Sequence, residues 1–150
     1  MEQLNLFEML YDNYKLDANK ELNIISLFSG YGSQELALKY LGVKYKHHRC
    51  VEWALPSIIA YASLHRNELE NYGIDIAKDF AREQIAERLY KLGVSLDYQK
   101  PATLDQLKRL DEKRLRLCFN SIFWANNLVD VCRVSGNALG IERERVFANL

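Results

Sequence analysis

The sequence predicts an α/β domain built on a parallel sheet, on three observations. A short apolar run, Asn23 to Phe28, meets two glycines one residue apart in Ser29-Gly30-Tyr31-Gly32, and a helical pattern starts at once. A second strand pattern, Lys46 to Glu52, follows. Strand, glycine turn, helix and strand in that order form a βαβ unit, which offers backbone N–H groups and a positive helix end to a nucleotide-like ligand.

Each element has its own local cause. Ile24, Ile25, Leu27 and Phe28 form a short apolar run bounded by turn signals, as expected of a buried strand. Ser29 to Gly32 is then the turn, and Ser33 is expected to cap a helix whose Leu36, Ala37, Tyr40 and Leu41 share an apolar face until Gly42 stops it. The second strand ends in an acid-aromatic pair, Glu52-Trp53, 22 residues after Gly30. Dinucleotide-type folds place an acid on ribose hydroxyls at roughly 20 residues beyond the glycines. A carboxylate suits that task because it accepts from both hydroxyls while ionised. Pro56 fits the first turn of a further helix, Ser57 to about His65.

From Asn67 the charge density rises. Helical patterns run from Lys78 to Leu92, ended by Gly93, from Leu104 to about Leu110, opened by the capping box Thr103-Leu104-Asp105-Gln106, and from Glu112 to about Asn126. Residues 67–127 thus predict a helical insertion on the sheet edge within one domain spanning 1–150. Leu128 to Val134 is rich in β-branched residues and predicts a third strand, followed by the turn Ser135-Gly136-Asn137. Ahead of all this, Leu6, Phe7, Met9, Leu10, Tyr11 and Tyr14 give residues 1–20 the spacing of a short amphipathic helix or leader, with no site assigned to it.

Composition bounds the function. The 150 residues suit one domain with a core of its own, and 20 basic against 20 acidic residues leave no global field to recruit nucleic acid. Cys50, Cys118 and Cys132 are odd in number and lack CxxC spacing, which points to a reducing compartment and gives no metal signature. All three fall in apolar patterns and read as core. His47 and His48 are adjacent on a strand, so they face opposite sides and do not share a metal, and His65 at a helix end reads as structural. The start lacks a basic n-region, and no apolar run reaches membrane-spanning length, so the expectation is a soluble cytoplasmic protein without a membrane partner.

Phe28-Ser29-Gly30-Tyr31-Gly32 with Glu52-Trp53, together with Leu27-Phe28-Ser29-Gly30 followed by Leu36-Ala37-Leu38, resembles the amino-terminal part of a DNA cytosine-5 methyltransferase, phage-encoded forms especially. The resemblance is good over residues 22–66 and looser over 67–140, where Leu107-Lys108-Arg109 and Asn126-Asn127-Leu128-Val129 are similar to inserts of phage members. It implies a partial Rossmann-like, S-adenosylmethionine-dependent methyltransferase fold in the cytoplasm of a bacterial or phage-infected cell. S-adenosylmethionine is the implied cofactor, held by Phe28, Ser29, Gly30, Tyr31, Gly32, Glu52 and Trp53. Phe28 would lie against it, Gly30 and Gly32 would let the backbone come close, Glu52 would hold the ribose hydroxyls and Trp53 would pack on the adenine. The family acid that meets the adenine amino group sits in a Gly-x-Asp-Leu segment, and the similar segment here, Gly136-Asn137-Ala138-Leu139, has Ala138 in its place.

The family's chemistry needs a cysteine after a proline to attack C6 of a flipped cytosine. Here Pro56 precedes Ser57 and Pro101 precedes Ala102, so no catalytic residue is assigned. The family's Glu-Asn-Val motif is absent as well, and Arg143 and Arg145, although an Arg-x-Arg, read with Glu142 and Glu144 as a solvated face. The expectation is the cofactor-binding part of such an enzyme, truncated or one half of a split pair, inactive alone and contacting DNA only when complete. Its first strand would form an open edge that pairs with a complementary half or a second copy. A non-catalytic Rossmann-like binding module and an unrelated nucleotide-binding enzyme are the alternatives.

Overall fold

A computed structural model of the chain describes residues 21–135. The 1–20 helix, the Gly136-Asn137-Ala138-Leu139 segment and the Arg143 and Arg145 pair lie outside the described residues. Strand β1 (Leu22–Leu27) and strand β2 (Tyr45–Val51) pair in parallel, from Leu22 opposite Tyr45 to Leu27 opposite Val51. Between Ile24 and Ile25 the register slips, because Ile24 faces His47 and Ile25 faces Arg49. His48 is the extra residue. It stays exposed while His47 turns inward and is buried.

The crossover between the strands is helix α1 (Ser33–Tyr40). Its N-cap is Gly32 and not the expected Ser33. The turn that closes with Gly32 N–H donating to the Ser29 carbonyl (2.7 Å) leaves the Gly32 carbonyl to accept the first helical bond from Leu36. That geometry needs φ +73 at Gly32, and a Cβ there would stand 2.1 Å from His65 Nε2. The side of α1 facing the protein also differs from expectation: Glu35 is buried, while Tyr40 and Leu41 are exposed among the described residues.

Helix α2 (Leu55–Leu64) follows β2, with Pro56 in its first turn as the sequence predicts. The helical pattern expected from Lys78 is interrupted. A 3-10 turn at Ala77–Asp79 stops at extended Phe80, and helix α3 begins only at Arg82, running to Leu92. Phe80 leaves the helical path because its ring is held between the edge of Phe119 and the Arg88 guanidinium, 4.3 Å from its centroid. Gly93 ends α3 in the left-handed conformation, as its position predicts. Helix α4 (Leu104–Lys108) carries the predicted capping box: Gln106 N–H donates to Thr103 Oγ1 and Thr103 N–H to Gln106 Oε1 (2.9 Å). Helix α5 (Glu112–Trp124) completes the set, making a mixed α/β unit of a two-stranded parallel sheet and five helices among the described residues.

Most of the apolar core lies among the helices. Leu55 and Ile58 of α2 meet Ile85, Leu89, Leu107, Leu115 and Cys118 in one buried cluster, and Cys50, Tyr61, Ala62 and Trp124 form a second beside the sheet. Burial pushes the Cys118 thiol up to about 12 and raises that of Cys50 further, so both are inert core residues. Cys132 differs from expectation, being exposed.

The third strand predicted at Leu128 to Val134 does not form. Asn127 makes one parallel bridge to Cys50, with Leu128 N–H donating to the Cys50 carbonyl (3.0 Å), and the chain then bends through Val129 (φ 61) into a 3-10 turn at Val131–Arg133. Side chains take over the backbone groups a ladder would use. Asn127 Oδ1 accepts from Val129 N–H and Asp130 Oδ1 from Cys132 N–H, both at 2.9 Å. Such local bonds compete with β structure and here outweigh β-branched propensity. Among the described residues no helix is long and apolar enough to cross a membrane.

A buried polar chain lies between α1, β2 and α2. His47 Nε2 donates to the Ala125 carbonyl (2.7 Å), which leaves Nδ1 as an acceptor in the neutral ring, 3.0 Å from the Tyr61 hydroxyl. That hydroxyl also stands 2.9 Å from Glu35 Oε1. Burial, the largest influence, holds His47 below its ordinary pKa, opposed by the Ala125 carbonyl and Glu35 and reinforced by His65 and His48. A depressed histidine contributes stability that is complete above its unfolded pKa, about 6.5, and is lost as pH falls through the folded value. The melting temperature is therefore expected to fall on acidification below about pH 6.5, and His47→Gln to flatten that slope in a pH series of thermal melts.

Candidate functional site

Beyond the carboxyl ends of both strands lies a cavity of about 480 Å³, lined by Phe28, Gly30, Glu52, Trp53 and Tyr98, with Val51 and the Val129 to Cys132 turn completing its wall. Its position is where an open α/β sheet receives ligands, and its size is that of a small-molecule site. Four of the residues singled out in the sequence, Phe28, Gly30, Glu52 and Trp53, are thus brought together around one cavity. Ser29, Tyr31 and Gly32 do not line the cavity.

Glu52 organises the site. Its side chain is buried at 5% exposure, and its two oxygens join two loops: Oε2 accepts from Gly30 N–H (2.9 Å) and Oε1 from Ala54 N–H (2.8 Å) at the start of α2. The N–H of the glycine turn is therefore aimed at an internal carboxylate and not left open for a phosphate. Each oxygen keeps a second lone pair for an outside donor. Asn127 fixes the backbone of the same residue, accepting from Glu52 N–H (3.0 Å) and donating to the Glu52 carbonyl (2.9 Å). It does with one side chain what a neighbouring strand would do.

The glycine turn is shaped by the protein's own packing at one end and by the cavity at the other. Gly32 is pressed against Tyr61 and His65, whose Nε2 donates to the Tyr31 carbonyl (3.1 Å), giving His65 its structural role. A Cβ on Gly30 would meet nothing within 4 Å, so φ +53 and not crowding is what favours glycine there. Phe28 adopts φ 55 without being glycine and is 70% exposed while lining the cavity. An exposed phenyl in a costly backbone conformation at a cavity mouth makes Phe28 a candidate functional residue. Trp53 is half-buried, one part packed on the main core and another facing the cavity.

Six lining residues were not anticipated: Val51, Val129 and Val131, which add aliphatic wall, and Tyr98, Asp130 and Cys132. Tyr98 arrives from a loop 45 positions beyond Trp53, and nothing in its local sequence signals a pocket. Asp130 and Cys132 reach the cavity because the expected strand turns there; the Asx-type bond of Asp130 was the available signal. Among the described residues the lining thus holds two carboxylates, Glu52 and Asp130, and no lysine or arginine. Among the described residues no group of three or more His, Cys, Asp or Glu is arranged to hold a metal ion.

Glu52→Gln keeps size but turns one acceptor into a donor that must face Gly30 N–H or Ala54 N–H. It is expected to lower stability by about 1–3 kcal/mol in denaturant unfolding. Asn127→Ala, which strips three backbone groups (Glu52 N–H, the Glu52 carbonyl and Val129 N–H) of their partner, is expected to cost at least as much; wild-type midpoints for both variants would refute the clamp. No protein-family model and no curated protein sequence matches the chain.

Proposed function

We propose that the chain is the S-adenosylmethionine-binding part of a DNA cytosine-5 methyltransferase with a partial Rossmann-like fold. The observation that carries the cofactor is the cavity lining among the described residues: two carboxylates, aromatic and aliphatic walls and no lysine or arginine. Phosphorylated nucleotides need donors and positive charge at their phosphates. Here the glycine-turn N–H serves Glu52, and a further acid, Glu35, occupies the first turn of α1. A nucleoside with an uncharged or cationic tail fits this field. The parallel sheet and its cavity position support the choice, and the methyltransferase class rests on the resemblance of residues 22–66.

In this assignment the remaining lone pairs of Glu52 receive the ribose hydroxyls, Trp53 packs on the adenine, Asp130 accepts from its amino group and Phe28 covers the tail. Asp130 then takes the place for which the sequence offered only Ala138. The cofactor, when bound, supplies an electrophilic methyl group; the chain binds, orients and shields it. The nucleophile is another matter. Cys50 and Cys118 are buried with raised pKa values, Cys132 follows Val131 and not a proline, and neither proline precedes a cysteine. Methyl transfer therefore requires a thiolate from outside residues 1–150; in a cytoplasmic split enzyme the β1 edge would receive the polypeptide that carries it, and DNA is a partner of that complex. A second assignment, a non-catalytic module, uses the same pocket without that thiolate.

Calorimetry is expected to show binding of S-adenosylmethionine and adenosine but neither ATP nor NAD, and Glu52→Ala to weaken it about tenfold or more by removing a charged acceptor. Cys132 gives an independent readout: as the exposed thiol of the three, it should be alkylated first, and S-adenosylmethionine should slow that labelling. Preferential binding of ATP or NAD would sink the proposal. No methyl transfer to DNA is expected from this chain alone.

A further inference from the structure

We infer that Tyr98 is a nucleoside-binding residue, the aromatic wall that the helical stretch contributes to the pocket; the inference rests on the adenosyl assignment above and extends it. The loop between α3 and α4 returns to the sheet at one point. Ser95 N–H donates to the Trp53 carbonyl and Leu55 N–H to the Ser95 carbonyl, both at 2.8 Å, so Ser95 brackets the residues just after Glu52. A parallel bridge between Ala54 and Ser95 and an antiparallel one between Ser95 and Pro101 then close a tight excursion.

Its side chains hold that excursion in one shape. Ser95 Oγ donates to the Lys100 carbonyl (2.7 Å), and Gln99 N–H donates to Asp97 Oδ1 (3.0 Å). Tyr98 stands at the tip with φ 65, a conformation a tyrosine adopts only when its surroundings impose it. Its hydroxyl is hydrogen-bonded to Ser57 Oγ, fully buried in the first turn of α2, and its ring lines the cavity at half exposure. Pinned at the hydroxyl and by the backbone on either side, the ring has little freedom left to lose on binding.

Placement decides which part of the ligand it meets. The loop is tied to Trp53, Ala54 and Leu55, beyond the β2 end where Glu52 stands, and not to the glycine turn that follows β1. Tyr98 therefore contacts the base and ribose end, and the tail lies toward Phe28. An apolar face with a fixed polar tip suits that role.

The test is titration of the full chain with two probes, S-adenosylmethionine and adenosine. Tyr98→Ala is expected to weaken both by the same factor, roughly tenfold or more for loss of a base–aromatic contact. Ser57→Ala, which frees the hydroxyl but keeps the ring, is expected to weaken both by a smaller factor. Equal losses for the two probes mark a nucleoside contact, whereas a merely structural role would show as a lowered melting temperature without ligand and unchanged affinity in the folded fraction. Unchanged affinity in Tyr98→Ala, or in Ser57→Ala should the first variant fail to fold, overturns the inference while leaving the adenosyl assignment standing. Failure of the wild-type chain to bind either probe overturns both.

Discussion

The carboxylate of Glu52 is the constraint on which the candidate site depends. A buried acid is tolerated only where donors compensate its desolvation, and two backbone N–H groups do so, one from the glycine turn after β1 and one from the start of α2. The bond thus fixes two loops at once and aims the remaining lone pairs at the cavity. Asn127 completes the arrangement by holding the backbone of the same residue, so that an isolated bridge at Cys50 replaces a third strand without leaving buried groups unpaired.

The same interaction changes the chemical meaning of the glycine turn. Free N–H groups at a helix start would favour phosphate. With Gly30 N–H committed to Glu52 and two carboxylates in the lining among the described residues, that end of the cavity is not arranged for a phosphate. The helices supply what a two-stranded sheet lacks. Their core carries most of the buried apolar surface, and the loop they return to Ser95 adds Tyr98 to a pocket that strand ends alone would leave open.

Much of the organisation was legible because it rests on local rules. Gly93 and the Thr103–Gln106 box mark helix ends wherever they occur, and Pro56 belongs in a first helical turn in any fold. The expected strand at Leu128 to Val134 failed because β-branched propensity is a weak prior beside four side chain–backbone bonds of Asn127 and Asp130. Cys132 was misplaced for the same reason, since a residue read as inward on a strand faces the cavity on a turn. Phe80 broke its helix through contacts with Arg88 and Phe119, one of them 39 positions away.

By itself the sequence determined the two strands, the glycine turn between the first strand and its helix, and the acid-aromatic pair after the second. Each is written in neighbouring residues through periodicity, φ preference and spacing. Only the tertiary structure decided that Gly32 yields to His65 and Tyr61 while Gly30 serves Glu52, and that Tyr98 and Asp130 join the pocket. Those outcomes depend on which distant groups arrive at the end of β2. Bonds between residues 22 to 75 positions apart carry no periodic trace in the chain.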